Sequence, residues 1–384
     1  MNAAKGASRV TDLKPLTSLR FVAAIMIVAY HAKNYFLWSW VHDAPSTLSK
    51  GVSFFFVLSG FILTHVYTSK PINSYRYFIR ARVARLWPIH VATLIILVTT
   101  VRPDSITFDG PGIFNKWIAL SINLALLHSI VPFFSYTFSW NAVSWSISTE
   151  IFFYLAFPLL LMQIEKTWHW KLLGAALSCA ALLTVLKLAH VPLDGDVNTL
   201  SVQSATYANP LARGFEFCLG MAAWVFWRRY VRALNLRAVA WTIIEATLLI
   251  ITTLWLSSWF FTIEAFLKPD ELLQQLFRLS SSSGFFAALI VGFASGRGLI
   301  GRILSARIPV FLGHISFAIY MVHQVLMKAA ITWLPSTAVH TLPYIAILLI
   351  VAASLHLLVE KPLQTWIAGS KQSRKDGRRL RPAD

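Results

Sequence analysis

Arg20 and His31 lie in the first long apolar stretch of the chain, where their side chains could together bind an anion and move a proton. On an α-helix this separation returns to within about 20° of the same face, about 16 Å further along the axis. Ionisable side chains inside a membrane span cost free energy, so each is a candidate for function. An imidazole suits proton transfer near neutral pH, so we expect His31 to be a general base, with a structural histidine as the alternative. We expect Arg20 to bind a phosphate or to stabilise developing negative charge.

Three further arginines, Arg80, Arg82 and Arg85, lie just before an apolar stretch. Residues three apart share a face of a helix, and guanidinium groups bind phosphates through two parallel hydrogen bonds. The pattern therefore indicates a binding site for a phosphorylated cytoplasmic ligand. A plain anchor at the cytoplasmic membrane surface is the alternative.

Glu150 is an acid within another apolar stretch, with serine hydroxyls a turn before it and Tyr154 a turn after it. A carboxylate inside a membrane must be paired or protonated, so Glu150 could orient a base or form a structural salt bridge with an arginine. For Glu216, with Arg213 three residues before it, we favour a structural pair. We expect the cavity around these groups to be lined by Trp145, Ser146, Tyr154 and His323.

Small residues interrupt an aromatic run at Ser59 and Gly60. Small side chains allow two helices to approach closely, which is the ordinary interpretation. A narrow slot for an acyl or pantetheine chain, with Ser59 on its wall, is the alternative.

The composition identifies the elements that must position these residues. Of the 384 residues, 57% are hydrophobic and 13% are charged, whereas a soluble domain carries about 25% charged residues. The chain is therefore expected to be an all-α polytopic membrane protein and not a soluble enzyme. Its net charge of +18 is explained by basic cytoplasmic loops, so no nucleic-acid partner is predicted. Both cysteines lie in apolar runs, and we predict neither a disulfide nor a metal site.

Eleven apolar runs approach the length of about 20 residues that a span requires. Five of them separate the basic loops 70–85 and 228–237, which should both be cytoplasmic, so one of the five cannot cross. We therefore predict about ten transmembrane helices with both termini cytoplasmic. The two runs that we expect could fail to cross are 86–101 and 113–134. The eleven runs are 17–37, 51–68, 86–101, 113–134, 143–164, 171–190, 208–227, 238–260, 276–295, 308–331 and 341–359.

The chain is expected to hold one transmembrane domain, 15–362, between a cytoplasmic N-terminal segment, 1–14, and a basic cytoplasmic tail, 363–384. The tail suits contact with lipid headgroups.

With these residues in this order, the sequence resembles the acyltransferase 3 family of membrane-bound acyltransferases over about 16–362. The resemblance implies ten spans, an acyl-CoA donor from the cytoplasm, and acylation of a hydroxyl on a carbohydrate or other acceptor at the outer side. Many members have an aspartate where this chain has Ser53, which leaves a role for an acid there in doubt. The resemblance rests on Arg20 with His31, the run 51–61, Arg82 to Pro88, Ser144-Trp145-Ser146 with Glu150, Phe153 and Tyr154, Glu216-Phe217 with Gly220, 312–316 with Tyr320 and His323, and 359–362.

The hypothesis is an O-acetyltransferase of a bacterial inner membrane. It would move an acetyl group from acetyl-CoA, or another acyl-CoA, to a surface polysaccharide, an exopolysaccharide or a lipid-linked glycan. The predicted catalytic residues are His31, Arg20 and Glu150, while Arg80, Arg82, Arg85 and Ser59 would bind the donor. A covalent acyl-enzyme remains open. The alternatives are a secondary transporter or flippase that uses the intramembrane acids and His31, and an acyltransferase with a small-molecule or lipid acceptor.

Overall fold

A computed structural model describes residues 13–107, 114–335 and 339–368, and these residues form helices and connecting loops without a β-strand. Within these ranges nine helices are long and apolar enough to cross a membrane. The expectation of an all-α polytopic membrane protein is confirmed. The longer helices, with one short helix that bears on the topology, are α1 (Lys14–Tyr35), α2 (Gly51–Ser69), α3 (Tyr75–Thr100), α4 (Lys116–Leu124), α5 (Trp145–Leu161), α6 (Ile164–Leu188), α7 (Pro210–Phe226), α8 (Ala238–Leu254), α9 (Glu271–Phe293), α10 (Arg307–Trp333) and α11 (Thr341–Ser354).

Three of these helices continue beyond a wider, π-helical turn. Such a turn, Trp227–Val231, extends α7; others lead from α8 into Phe260–Phe266 and from α11 into Lys361–Ala368. Helix α7 is less apolar because it carries Arg213 and Glu216, but it is embedded in the bundle against α2 and α6. With the nine apolar helices of the described residues, α7 is the candidate for the tenth span that the sequence predicts.

Local sequence signals fix where several helices begin. The Ser74 side chain accepts a hydrogen bond from the Tyr77 backbone N–H at the start of α3. The start of α7 has Asn209 as its cap, followed by Pro210, a residue suited to the first turn. Asp270 caps α9 in the same way. These caps satisfy backbone donors that a helix leaves unpaired at its beginning.

The segment 114–134 does not form a helix long enough to cross a membrane. Helix α4 has nine residues and is followed by Leu126 in a left-handed conformation, with a φ of 56°. The backbone N–H of Trp140 donates to the carbonyl oxygen of Ile106, at 2.9 Å, so the chain returns to the side on which α3 ended. The other suspect, 86–101, forms the second half of the 26-residue helix α3.

Helices α1 and α10 run parallel to each other in the centre of the bundle. Gly313 of α10 contacts the backbone at Thr17 of α1, His323 contacts His31, and Gln324 contacts Tyr35. Residue numbers therefore increase in the same direction along both helices. Parallel spans must be separated by an odd number of other spans. Helix α10 is the ninth span only if 113–134 does not cross, so this packing supports ten spans independently.

Glycines allow two close helix crossings. A Cβ atom added at Gly313 would lie 2.0 Å from the carbonyl oxygen of Thr17. Between α2 and α7, an added Cβ would lie 2.1 Å from Phe217 O at Gly60, and 1.9 Å from Val57 O at Gly220. Gly60 therefore serves helix contact, whereas its neighbour Ser59 faces a cavity. Of the nine apolar helices, α10 and α2 are the most buried and α6 is the most exposed, which places Ser59 and His323 toward the centre of the bundle.

Substitution of Gly313 should test the α1–α10 contact. Gly313→Ala would force the two backbones apart, and we expect it to lower the free energy of unfolding by about 1–3 kcal/mol or more. The matched control is Gly284→Ala, because an added Cβ there meets nothing within 4 Å. Thermal unfolding of the purified variants in detergent would measure this, and equal midpoints for both would contradict it.

Single cysteines should test the topology, once buried Cys179 and Cys218 have been replaced. Asp104→Cys and Asp194→Cys should react with a membrane-impermeant maleimide from the same side, and Arg232→Cys only from the other. Two spans, α5 and α6, separate the first two positions. Labelling of 104 and 194 from opposite sides would mean that 113–134 crosses after all.

Candidate active site

A cavity of about 240 Å³ lies among α1, α2, α3, α5 and α10. Helix α2 contributes wall residues from Val52 to Tyr67, which span about 22 Å of helix axis, so the cavity is long and narrow. Seven of the eleven predicted site residues line it: Arg20, Ser59, Arg82, Arg85, Ser146, Glu150 and Tyr154. Predicted residues from four separate helices therefore converge on one space.

Arg82 occupies the basic end of this cavity. Its guanidinium carbon lies 5.8 Å from the ring centres of both Tyr67 and Phe78, and Nη2 donates to the Tyr67 hydroxyl at 3.4 Å. Its Nε is buried and makes no hydrogen bond within the described part of the chain. A buried donor without a partner is unfavourable, so this end of the cavity suits an anionic ligand.

Arg20 and Arg85 share this wall and lie close enough to interact electrostatically with each other and with Glu150. Like charges in a confined apolar space repel each other, and an anion between them would relieve the repulsion. The third predicted arginine, Arg80, is exposed and does not line the cavity.

Glu150 is held by two hydroxyl groups on one oxygen. Its Oε1 accepts hydrogen bonds from Ser59 Oγ at 2.7 Å and from the Tyr154 hydroxyl at 2.5 Å. Among the described residues no arginine or lysine nitrogen lies within 4 Å of this carboxylate, so the alternative of a direct salt bridge is not observed. The carboxyl group therefore stays oriented while it lines the cavity.

Tyr320 lines the opposite end of the cavity, and the sequence interpretation gave it no role. Its hydroxyl donates to the carbonyl oxygen of Val143 at 2.8 Å and lies 2.8 Å from Ser146 Oγ. The signal that could have found it is its position three residues before His323, one turn away on the same helix.

His31 and His323 form a hydrogen-bonded pair just beyond Tyr320. His323 Nδ1 lies 2.7 Å from the carbonyl oxygen of Tyr320, and His323 Nε2 lies 2.9 Å from His31 Nδ1. A carbonyl oxygen can only accept, so His323 Nδ1 carries the proton and its Nε2 has a lone pair. His31 Nδ1–H then donates to that lone pair, which leaves His31 Nε2 unprotonated and able to accept a proton. His31 is partly exposed, whereas His323 is buried.

A second cavity, of about 490 Å³, lies on the other side of the histidine pair and is bordered by Tyr35, Arg102, Asp104 and Lys328. Helix α1 lines the first cavity with Arg20 and the second with Tyr35, and His31 lies between these positions. Helix α10 repeats this order with Tyr320, His323 and Lys328. The pair therefore separates a space with basic residues at one end from a polar space beyond.

Trp145 lies outside the first cavity. Its ring packs against Phe56 and beneath the guanidinium group of Arg213, at 5.8 Å. Arg213 Nε lies 3.0 Å from Glu216 Oε2, which is the structural ion pair expected, although its angles are not those of a hydrogen bond. Ser53 Oγ accepts a hydrogen bond from Arg213 at 3.3 Å. This polar group supports the bundle beside the site without facing the cavity.

Comparisons with known proteins are consistent with this geometry. The profile of a family described as an acyltransferase domain matches residues 15–359. The chain is 28% identical to acyltransferase MdmB of Streptomyces mycarofaciens over 92% of both chains. It is 27% identical to nodulation protein 10 of Rhizobium leguminosarum bv. viciae over 58% of this chain and 62% of that protein. No solved structure gives a significant match.

Proposed function

Because the chain belongs to the acyltransferase 3 family and is a membrane acyltransferase, we propose that it transfers an acetyl group from cytoplasmic acetyl-CoA to a carbohydrate hydroxyl at the outer side of a bacterial inner membrane. The observation that carries this proposal is the long cavity between a cluster of arginines and the His31–His323 pair. A surface polysaccharide, an exopolysaccharide or a lipid-linked glycan would be the acceptor.

The donor would enter at the basic end of the first cavity. Arg82 and Arg85 would hold CoA phosphates, and the unpartnered Nε of Arg82 supports this assignment. Arg20 would bind phosphate as well, because about 16 Å of helix separates it from His31, too far to touch the same reacting atom. The narrow cavity fits an extended pantetheine arm, whose amide groups could hydrogen-bond to Glu150.

His31 would be the general base. Its Nε2 would take the proton from the acceptor hydroxyl while the acceptor oxygen attacks the thioester carbonyl carbon. The C–S bond would then break, and the CoA sulfur would leave with the proton returned by His31. His323 would act through His31. Because His323 Nε2 accepts the proton of His31 Nδ1, the free lone pair of His31 is on its Nε2.

The acceptor would approach from the second cavity. Tyr35, Arg102, Asp104 and Lys328 offer donors and acceptors to a hydroxyl-rich ligand. Tyr35 lies one helical turn beyond His31 on the same face, so a ligand in this cavity would be close to the base.

The test of this function is release of free CoA thiol by the purified protein from acetyl-CoA and an envelope-glycan extract. Turnover that requires both would support it. Absence of both turnover and acetyl-CoA binding would reject the donor.

Arginine substitutions should separate the donor site from a general surface charge. We expect Arg82→Ala to raise the KM for acetyl-CoA about tenfold or more, since it removes charge-assisted hydrogen bonds. Arg80→Ala removes an exposed arginine from the same helix and should leave KM unchanged. Equal effects of the two variants would contradict a phosphate site in the cavity.

Histidine substitutions should test the base. His31→Ala should lower kcat by roughly 10²–10⁴ while acetyl-CoA still binds. His323→Ala should also lower kcat with little change in the donor KM, whereas His314→Ala, an exposed histidine of the same helix, should not. A His31→Ala enzyme with wild-type kcat would exclude His31 as the base.

A further inference from the structure

An apolar groove lies on the far side of α7 from the candidate active site, among α6, α7, α8 and α9. Its volume is about 530 Å³, which is within the range of ligand-binding pockets. Among the described residues, the groove and the candidate active-site cavity have no wall residue in common. It is therefore a separate feature that the acyl transfer does not use.

Small side chains create this groove. Alanines of α7 and α9 form part of its wall, where larger residues would fill the space between the helices, whereas Gly292 allows α9 to pack closely against Leu248. Leu172, Leu219, Ile244 and Leu248 line it as well, so its interior offers almost nothing to a polar ligand. The side chains that line an unfilled apolar groove lack dispersion contacts on one side. Within a bilayer, a lipid acyl chain can supply these contacts.

One end of the groove is basic and aromatic. Arg229 lines it, and its Nη2 donates to the carbonyl oxygen of Glu165 at 3.2 Å, which uses one of five donors. Arg297 lies 5.8 Å from the ring centre of Trp241, another wall residue, and donates to the carbonyl oxygens of Arg232, at 3.1 Å, and of Leu234. Two acids near this end already have partners: Glu165 is paired with Arg228 at 2.7 Å, and Glu245 accepts the backbone N–H groups of Gly298 and Gly301.

Trp168, Tyr230 and Trp241 lie at this end as well. Tryptophan and tyrosine are concentrated where a membrane protein meets the headgroup layer. A groove with an apolar body and arginines at headgroup level complements a lipid with a negatively charged phosphate.

We propose that this groove binds one anionic phospholipid. Its acyl chain would lie against α7 and α9, and its phosphate would contact Arg229 and Arg297. The lipid would be a bound component of the fold and not a substrate, because α7 separates it from the arginine cavity and the histidine pair.

Native mass spectrometry of the purified full-length protein would test this, with phosphatidylglycerol or phosphatidylcholine added in detergent. We expect one phosphatidylglycerol to bind at least about tenfold better than phosphatidylcholine. Arg229→Ala combined with Arg297→Ala should abolish the preference, and Ala288→Trp should block the groove. The matched controls are Arg307→Ala, an exposed arginine elsewhere, and Ala181→Trp on the exposed face of α6.

Equal binding of the two lipids by the wild type would overturn the proposal, as would unchanged binding by Ala288→Trp. Inorganic phosphate should not compete, and full competition would also overturn the proposal by showing a simple anion site. Circular dichroism and size-exclusion profiles would confirm that each variant is folded. Because lipid binding needs no turnover, the result is independent of the proposed acyl transfer.

Discussion

The close parallel contact between α1 and α10 is the constraint on which the rest of the structure depends. Helices approach to backbone distance only where a side chain is missing, and Gly313 provides that gap against Thr17. From this fixed point the two helices run in the same direction, and His31 meets His323 about three to four turns later at 2.9 Å. The register of this pair decides which histidine carries a usable lone pair, and it also fixes which residues of each helix face each cavity.

Several charged groups in this bundle are tolerated because they have a defined partner. Glu150 is held by two hydroxyls, and Arg213 and Glu216 neutralise each other. The buried carboxylate of Glu245 accepts the backbone N–H groups of Gly298 and Gly301, at 3.0 and 2.9 Å, and so caps the short helix Leu299–Leu304. A carboxylate suits a helix N-terminus, where unpaired N–H groups concentrate positive charge.

The sequence predicted the helical class and seven residues of the cavity wall, because polar residues in apolar helices are rare enough to be informative. Helical spacing placed Arg20 and His31 on one face, but it could not reveal that only Arg20 lines the first cavity. Hydropathy could not tell whether 86–101 or 113–134 fails to form a membrane-spanning helix. That outcome depends on the left-handed residue Leu126 and on the hydrogen bond between Trp140 and Ile106. The groove beside α7 was missed because alanine and glycine give no signal in an apolar sequence.

The separation of the two cavities has a consequence for the energetics of the cell envelope. Among the described residues they share no wall residue, and the histidine pair lies between them. A continuous water column through a membrane would let protons leak and would dissipate the proton gradient. Each elementary charge that crosses a potential of 100 mV dissipates about 2.3 kcal/mol. Because the two cavities are separate and do not form one channel, a chemical group could pass from one to the other while the bilayer stays electrically insulating.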